Sequence, residues 1–120
     1  MTKSQTICIV DDEEAIRETL KNVLSDEGYP VRSCKDSISF FGELGRQTPA
    51  LVLLDIWLPG IDGMAILGKL RESQPELPVI MMSGHAGIDA AVTAIKLGAV
   101  DFMEKPLRLE ILLDKIALVL

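Results

Sequence analysis

The feature that most constrains the fold of this chain is the alternation of short apolar runs with segments of helical periodicity. The runs predict five strands, at residues 6–10, 30–34, 50–54, 78–82 and 100–104. Each is followed by a segment whose apolar residues recur every three or four positions, as in a helix packed on one side. Strands alternating with helices favour a parallel sheet covered on both faces. We therefore expect a doubly wound α/β fold, a five-stranded parallel sheet of order 2-1-3-4-5 flanked by five helices.

The helical segments carry apolar faces of the kind that packs on a sheet. One side of the first segment combines Ile16, Leu20, Val23, Leu24 and Glu27, and Gly28 is a plausible stop. Asp36 is placed to cap a shorter helix that presents Ile38, Phe41 and Leu44. The last segment presents Leu109, Leu112, Leu113, Ile116, Ala117 and Leu120. A second apolar set there, Ile111, Leu118 and Val119, indicates contact with another chain or domain, and is equally consistent with fraying or a chain boundary.

Length and composition narrow the class of protein. The 120 residues are enough for one domain with an apolar core, so we assign residues 1–120 to a single domain. The apolar fraction of 48% excludes a disordered chain. The 18 acidic residues outnumber the 12 basic ones, and the net charge of −6 argues against nucleic acid as a direct ligand. Such a chain is suited instead to binding a cation.

Cellular location is inferred from the N-terminus and the longest apolar runs. No run approaches the roughly 18 residues that a membrane helix needs, and acids interrupt the apolar run of the N-terminal "MTKSQTICIVDDEE". We expect a cytoplasmic protein that does not bind membranes. Cys8 and Cys34 lie in apolar runs without metal-ligand spacing, which predicts buried, reduced thiols.

Polar residues follow four of the predicted strands. The first strand ends at Asp11 and Asp12, the third at Asp55, the fourth at Ser83 and the fifth near Lys105. In open α/β sheets the functional site lies beyond the carboxyl ends of the strands. If these strands are neighbours, three carboxylates, one hydroxyl and one ammonium meet at one edge of the sheet.

This set of groups points to phosphoryl chemistry. Three adjacent carboxylates repel one another unless a cation shares them. Ligands that are all oxygen favour a hard ion, and Mg²⁺ needs few protein ligands. Mg²⁺, Lys105 and Ser83 together suit a group with negatively charged oxygens, above all a phosphoryl group. Asp55 would then be the nucleophile that forms an aspartyl phosphate.

Each residue also has a simpler interpretation. Asp12 opens a predicted helix, where acids are favoured by the helix dipole, and Asp55 precedes a turn at Pro59. Ser83 followed by Gly84 is typical of a loop, and an isolated lysine is usually a solvated charge. The specificity of the pattern comes from all four positions falling at strand ends in the expected order.

Four sequence blocks resemble the CheY-like receiver domain of two-component response regulators. They are "IVDDEEAIRETL", "LLDIWLPGIDGMAIL", "PVIMMSGHA" and "AVTAIKLGAVDFMEKPL", and the resemblance covers the whole chain. The last two blocks are most similar to the NtrC/NtrX type, which regulates sigma-54-dependent transcription. The resemblance implies that this chain is the N-terminal part of a longer regulator, whose output portion would be an ATPase module and a DNA-binding helix-turn-helix.

The resemblance also implies a role for each strand-end residue. Asp55 corresponds to the phosphoacceptor, which receives its phosphoryl group from a sensor histidine kinase. The Mg²⁺ ligands correspond to Asp11, Asp12, Asp55 and the backbone carbonyl of Trp57. The phosphoryl-binding residues correspond to Ser83, Gly84 and Lys105, and the Lys105–Pro106 bond is expected to be cis. Such a domain is not an enzyme in the usual sense, because it catalyses only its own phosphoryl transfer and dephosphorylation.

Switching in the family involves two further kinds of position. Phe102 corresponds to the switch aromatic, which changes rotamer together with movement of Ser83, although Phe102 is equally readable as a plain buried residue. Trp57 and His85 occupy positions that tune the lifetime of the phosphoryl group, or they merely cover the edge of the site. Members of the family commonly form homodimers through the face made by the fourth helix, fifth strand and fifth helix.

Four other functions fit the residues less well. A Mg²⁺-dependent aspartyl-phosphate phosphatase has a D-x-D-x-[TV] pattern at the end of its first strand, where this chain has "DDEE". A flavodoxin-like cofactor binder needs a phosphate-cradling loop there, and none is present. A phosphohistidine carrier would place His85 on a helix, and a hydrolase using Ser83 with His85 would need a G-x-S-x-G turn that this chain lacks.

Overall fold

One parallel sheet organises the molecule, whose computed structural model describes residues 5–84 and 87–120. The strands are β1 (Ile7–Val10), β2 (Val31–Cys34), β3 (Leu51–Asp55), β4 (Val79–Ser83) and β5 (Asp101–Glu104). The helices are α1 (Glu14–Asp26), α2 (Ser37–Arg46), α3 (Gly63–Ser73), α4 (Ile88–Lys96) and α5 (Leu109–Val119). All strand pairs are parallel, in the order β2-β1-β3-β4-β5. The predicted fold class and strand order are confirmed.

The helices cover both faces of this sheet. On one face α1 and α5 pack through Leu20, Leu24, Leu112 and Ile116. On the other, α2, α3 and α4 pack through Phe40, Ile66, Leu67, Leu70 and Ala94. Successive residues of β3 alternate between the two cores, which explains why the strand is apolar without interruption.

The face that α2 buries differs from the predicted one. Ile38 is 83% exposed, whereas Phe40 is completely buried against the sheet. Phe41 and Leu44 lie partly buried beside it, and their spacing fits either face. Contact with the sheet makes the choice, because Phe40 lies in the core that also contains Cys8 and Val10 of β1 and Cys34 of β2. The capping prediction for Asp36 is confirmed, since its carboxylate accepts a hydrogen bond from the Ser39 amide at 2.8 Å.

The predicted second apolar set on α5 is also only partly correct. Ile111 and Val119 pack against the core of their own chain, and Leu118 alone is freely exposed, at 88%. Of the predicted main stripe, Ala117 is exposed. Apolar residues outside the main stripe of α5 therefore also contact the core.

The predicted helix end at Gly28 and the predicted burial of the two thiols are confirmed. Gly28 and Gly98 adopt φ values of +91° and +107° at the ends of α1 and α4, a conformation that glycine tolerates best. Cys8 and Cys34 are buried, free thiols with 3.9 Å between their sulfur atoms. Among the described helices, none has the length and apolarity needed to cross a membrane.

Candidate functional site

Three carboxylates meet at the carboxyl edge of the sheet. Asp11 follows β1 and Asp55 ends β3, and these strands are neighbours. One carboxylate oxygen each from Asp11, Asp12 and Asp55 lies within 4.8 Å of the other two. Asp11 and Asp55 are buried, whereas Asp12 is exposed. The structure therefore brings together the three acids that the strand-end pattern selected.

Lys105 joins this cluster from the end of β5. Its Nζ lies 2.7 Å from Asp11 Oδ2, 3.3 Å from Asp55 Oδ2 and 3.6 Å from Glu13 Oε1. The Lys105 amide donates to the Ser83 carbonyl at 2.8 Å, which fixes the end of β5 against the end of β4. The Lys105–Pro106 bond is cis, as expected. The lysine is thus the cation that the buried carboxylates share.

One ammonium does not balance this set of carboxylates. Burial, followed by the charge of Asp11, raises the pKa of Asp55 above its usual range, although Lys105 opposes the shift. Burial lowers the pKa of Lys105, but the hydrogen bond and charge of Asp11, with those of Asp55, outweigh it, and the pKa is raised. The cluster therefore retains negative charge that favours a further cation.

The donor set fits a hard divalent ion. All its ligand atoms are carboxylate oxygens, which suit Mg²⁺ rather than a thiol- or imidazole-binding metal. Exposed Asp12 leaves the cluster accessible from solvent. The Trp57 amide points at the cluster and donates to Asp55 Oδ1 at 3.4 Å, so the backbone of this residue runs beside the acids.

A cleft of about 210 Å³ opens over Asp55, and it is lined by Asp12, Glu13, Asp55, Trp57, Gly84 and Lys105. The Trp57 side chain is 58% exposed. A Cβ atom placed on Gly84 would lie 3.9 Å from Lys105 Cβ, so a larger side chain would begin to cover the lysine. The Asp55 side chain is therefore almost completely buried, but it borders a cleft through which a ligand could reach it.

The other predicted site residues differ in position and burial. Ser83 is buried at the end of β4, next to the strand that carries Asp55. Phe102 lies in β5, half-buried and packed against the core beneath α2, α3 and α4. His85 lies outside the described residues.

Sequence reasoning missed three residues that shape the site. The sequence pattern assigned no role to Glu13, yet its carboxylate lies 3.6 Å from Lys105 Nζ. Arg17 donates from Nη1 to the Asp11 carbonyl at 2.7 Å. Gly63 lies so close to the backbone of Asp55 that no side chain fits there. Of the three, only Gly63 could have been found from the sequence. It ends the "PGIDG" segment, and a glycine after a turn often marks a close backbone approach.

Comparison with known proteins decides the family. The model of the response regulator receiver domain matches residues 7–117. This chain is a receiver domain of that family. It is 46% identical over 102 residues to the nitrogen assimilation regulatory protein NtrX of Azorhizobium caulinodans, a match that covers 83% of this chain and 22% of the relative.

Solved receiver domains have the same fold. The NtrX receiver domain from Brucella abortus superposes with a TM-score of 0.89 at 43% identity, covering 94% of this chain and 96% of that one. The beryllofluoride-activated NtrC4 receiver domain dimer superposes with a TM-score of 0.91 at 34% identity, covering 96% and 95%. The resemblance to the NtrC/NtrX type is confirmed, and the phosphatase alternative is not favoured.

The receiver domain is a signalling domain found in transcription regulators such as NtrX and NtrC. It spans about a fifth of the length of the curated relatives that it matches first.

Proposed function

We propose that this receiver domain is a phosphorylation switch in which Asp55 accepts a phosphoryl group from the phosphohistidine of a sensor histidine kinase. The observation that carries the proposal is the placement of the Asp55 carboxylate. It ends a central strand, lies 3.3 Å from the Lys105 ammonium and faces an open cleft. A buried carboxylate in such surroundings is held ready for attack on a phosphoryl donor.

The transfer step is a displacement at phosphorus. An Asp55 carboxylate oxygen forms the new P–O bond while the P–N bond of the donor breaks. The imidazole nitrogen keeps the electron pair and takes up a proton from solvent. Lys105 binds a phosphoryl oxygen, and Gly84 lines the cleft through which the group arrives. Ser83, at the end of β4, moves to bind the group. Positioning and charge neutralisation supply most of the catalysis.

The cofactor we propose is Mg²⁺. When bound, it neutralises negative charge on the phosphoryl oxygens. The residues that would hold it are Asp11, Asp12, Asp55 and, through its backbone carbonyl, Trp57. The clustering of the three carboxylates within 4.8 Å supports this ligand set.

The response to phosphorylation starts at Ser83 and Lys105. Both bind the new group, and their backbones are hydrogen-bonded to each other at the ends of β4 and β5. A shift of Ser83 toward the phosphoryl group therefore moves the loop that leads into α4. Phe102, half-buried in β5, changes rotamer as the inactive and active arrangements exchange populations.

Phosphorylation of Asp55 is tested with a small phosphodonor and Mg²⁺. We expect the parent protein to gain the mass of one phosphoryl group and the Asp55→Asn variant to gain none. Asp62→Asn is the matched control, because Asp62 lies in the loop that follows Asp55 and caps α3 by accepting a hydrogen bond from the Ala65 amide. A mass gain that persists in Asp55→Asn, or that is lost in Asp62→Asn, would contradict the assignment.

The output surface we propose is the face formed by α4, β5 and α5, through which the domain forms a homodimer that controls an output domain. Exposed apolar side chains lie on α4, on the segment that joins it to β5 and on α5: Ile88, Val92, Ile95, Leu97, Val100 and Leu118. The related NtrC4 receiver domain is a dimer when activated by beryllofluoride. Burying these side chains between two copies would stabilise the active arrangement.

Light scattering with and without beryllofluoride tests the dimer. We expect a rise to the dimer mass on activation, and its loss in Val92→Asp. Ile38→Asp is the control, since it places the same charge on an equally apolar but distant exposed position of α2. A monomer under both conditions would rule out this surface as a dimer interface.

We assign to Trp57 and His85 the role of setting how long the phosphoryl group survives on Asp55. The Trp57 ring lines the cleft over Asp55 and would shield it from water. Substituting alanine at each position and timing the loss of the phosphoryl group tests this role. We expect faster loss in both variants, and an unchanged lifetime would remove the residue from this role.

A further inference from the structure

Arg17 reaches from α1 back to the loop that carries the first two acids of the site. It is the fourth residue of α1 and is half-buried. Its Nη1 donates to the backbone carbonyl of Asp11 at 2.7 Å. Within residues 5–84 and 87–120, its guanidinium takes part in no ion pair. The charge is therefore directed at a backbone oxygen, although acidic side chains lie nearby in sequence.

The position of this cation is unfavourable for the helix itself. The N-terminal turn of a helix carries partial positive charge, so a cation there is disfavoured and an acid is favoured. Residues that violate a local preference commonly serve a contact elsewhere. The contact made by Arg17 is with the β1–α1 loop.

That loop holds Asp11 and Asp12 very differently. The Asp11 amide donates to the Cys34 carbonyl at 3.1 Å, and Asp11 Oδ1 accepts from the Glu13 amide at 2.9 Å. Across the described residues, no hydrogen bond or ion pair restrains the Asp12 carboxylate, which is exposed. The direction of Asp12 therefore depends on the backbone between Asp11 and Glu13. Two side chains hold this backbone: Asp11 itself through the Glu13 amide, and Arg17, from α1, through the Asp11 carbonyl.

We propose that Arg17 is a positioning residue for the divalent-cation site: its hydrogen bond to the Asp11 carbonyl orients the loop so that Asp12 faces the same ion as Asp11 and Asp55. This inference rests on the metal site of the proposed function and names a residue outside its ligand set. Removing a residue that holds metal ligands in position through hydrogen bonds typically weakens metal binding by tenfold or more.

The sign of the effect separates positioning from simple electrostatics. If Arg17 acted only through its charge, its removal would make the cluster more negative and Mg²⁺ binding tighter. If it orients Asp12, its removal makes binding weaker despite the more negative surroundings. A residue important only for the stability of the fold would lower the unfolding temperature and leave the affinity of the folded protein unchanged.

The test is a Mg²⁺ titration followed by the NMR shifts of the Asp12, Glu13 and Trp57 backbone amides. We expect Arg17→Met, which keeps a long helix-favouring side chain, to raise the dissociation constant roughly tenfold. Arg17→Lys keeps the charge with a less suitable donor and should give an intermediate value. Arg46→Met is the matched control, because Arg46 is 80% exposed on α2 and its loss removes the same charge far from the site.

The outcomes separate this inference from the proposed function. Weaker binding in both Arg17 variants, with Arg46→Met close to the parent, supports the positioning role. Unchanged or tighter binding in folded Arg17→Lys overturns it, whether or not Arg17→Met folds. If the parent itself shows no saturable Mg²⁺ response at these amides, the proposed metal site fails first and this inference falls with it.

Discussion

Replacing Gly63 with alanine adds one methyl group at the point where α3 meets the strand that carries Asp55. An ideal Cβ atom on Gly63 would lie 2.2 Å from the Asp55 carbonyl oxygen and 2.8 Å from Ile56 Cα. Both neighbours are backbone atoms, which cannot rotate away as a side chain could. The Gly63 amide also donates to the Ile56 carbonyl at 2.6 Å, so the start of α3 is tied to this strand end.

The magnitude follows from these distances. Ordinary contact begins near 3.4 Å, so the two backbones must separate by about 1.2 Å, the difference between 3.4 and 2.2 Å. Overpacking of this kind costs about 1–3 kcal/mol, and straining the Gly63 hydrogen bond adds about 1 kcal/mol. Alanine's helix propensity offsets up to about 1 kcal/mol. With the full offset applied, we expect a net destabilisation of roughly 1–3 kcal/mol.

Gly68→Ala is the matched comparison in the same helix. A Cβ atom there would meet nothing within 4 Å, so only the propensity gain of up to about 1 kcal/mol remains. Urea unfolding followed by far-UV circular dichroism measures the free energy of unfolding of both variants. Replacing glycine with alanine should therefore lower the free energy of unfolding at position 63 and raise it at position 68, five residues away. A Gly63→Ala protein as stable as Gly68→Ala would refute the close approach of α3 to β3. Because the shift falls on the Asp55 backbone, phosphorylation of Gly63→Ala should also be slower.

Three further outcomes are expected. Gly98→Ala should lower the free energy of unfolding by about 1–3 kcal/mol. The reason is that Gly98 has φ +107° and that a Cβ atom there would lie 2.6 Å from Arg71 Cδ. A variant as stable as the parent in thermal unfolding would count against this conformation. Leu54→Ala, in the buried core, should lower the free energy of unfolding by about 2–5 kcal/mol. Ile38→Ala should change it by no more than about 0.5 kcal/mol. Equal effects in urea unfolding would show that the buried face of α2 is wrongly assigned. The two buried thiols should react with a thiol reagent only after denaturation, and rapid labelling of the native protein would contradict their burial.

The convergence of the site could be predicted because it depends on chain direction and strand order alone. Parallel strands place all their carboxyl ends at one edge of the sheet. Asp11, Asp55 and Lys105 each follow a short apolar run, so their meeting needed no distance information. The structure confirms it with contacts of 2.7 and 3.3 Å between Lys105 and the two acids.

Helix faces could be predicted only where the apolar stripe is long. The thirteen residues of α1 gave a stripe whose central members, Leu20 and Leu24, are buried as expected. In the ten residues of α2, two overlapping stripes share Phe41 and Leu44, and periodicity cannot choose between Ile38 and Phe40. The packing of Phe40 into the core against the sheet decides which face of α2 is buried.

By itself, then, the sequence determined the order and type of the elements, the parallel sheet and the strand-end location of the acids. These features follow from hydrophobic periodicity and chain direction, and both can be read directly from the order of the residues. Only the tertiary structure decided that Arg17 grips the Asp11 carbonyl, that Glu13 approaches Lys105 and that Gly63 must lack a side chain. Those features depend on ångström-scale distances between separate elements, and they arise only once two apolar cores have packed the helices against one sheet.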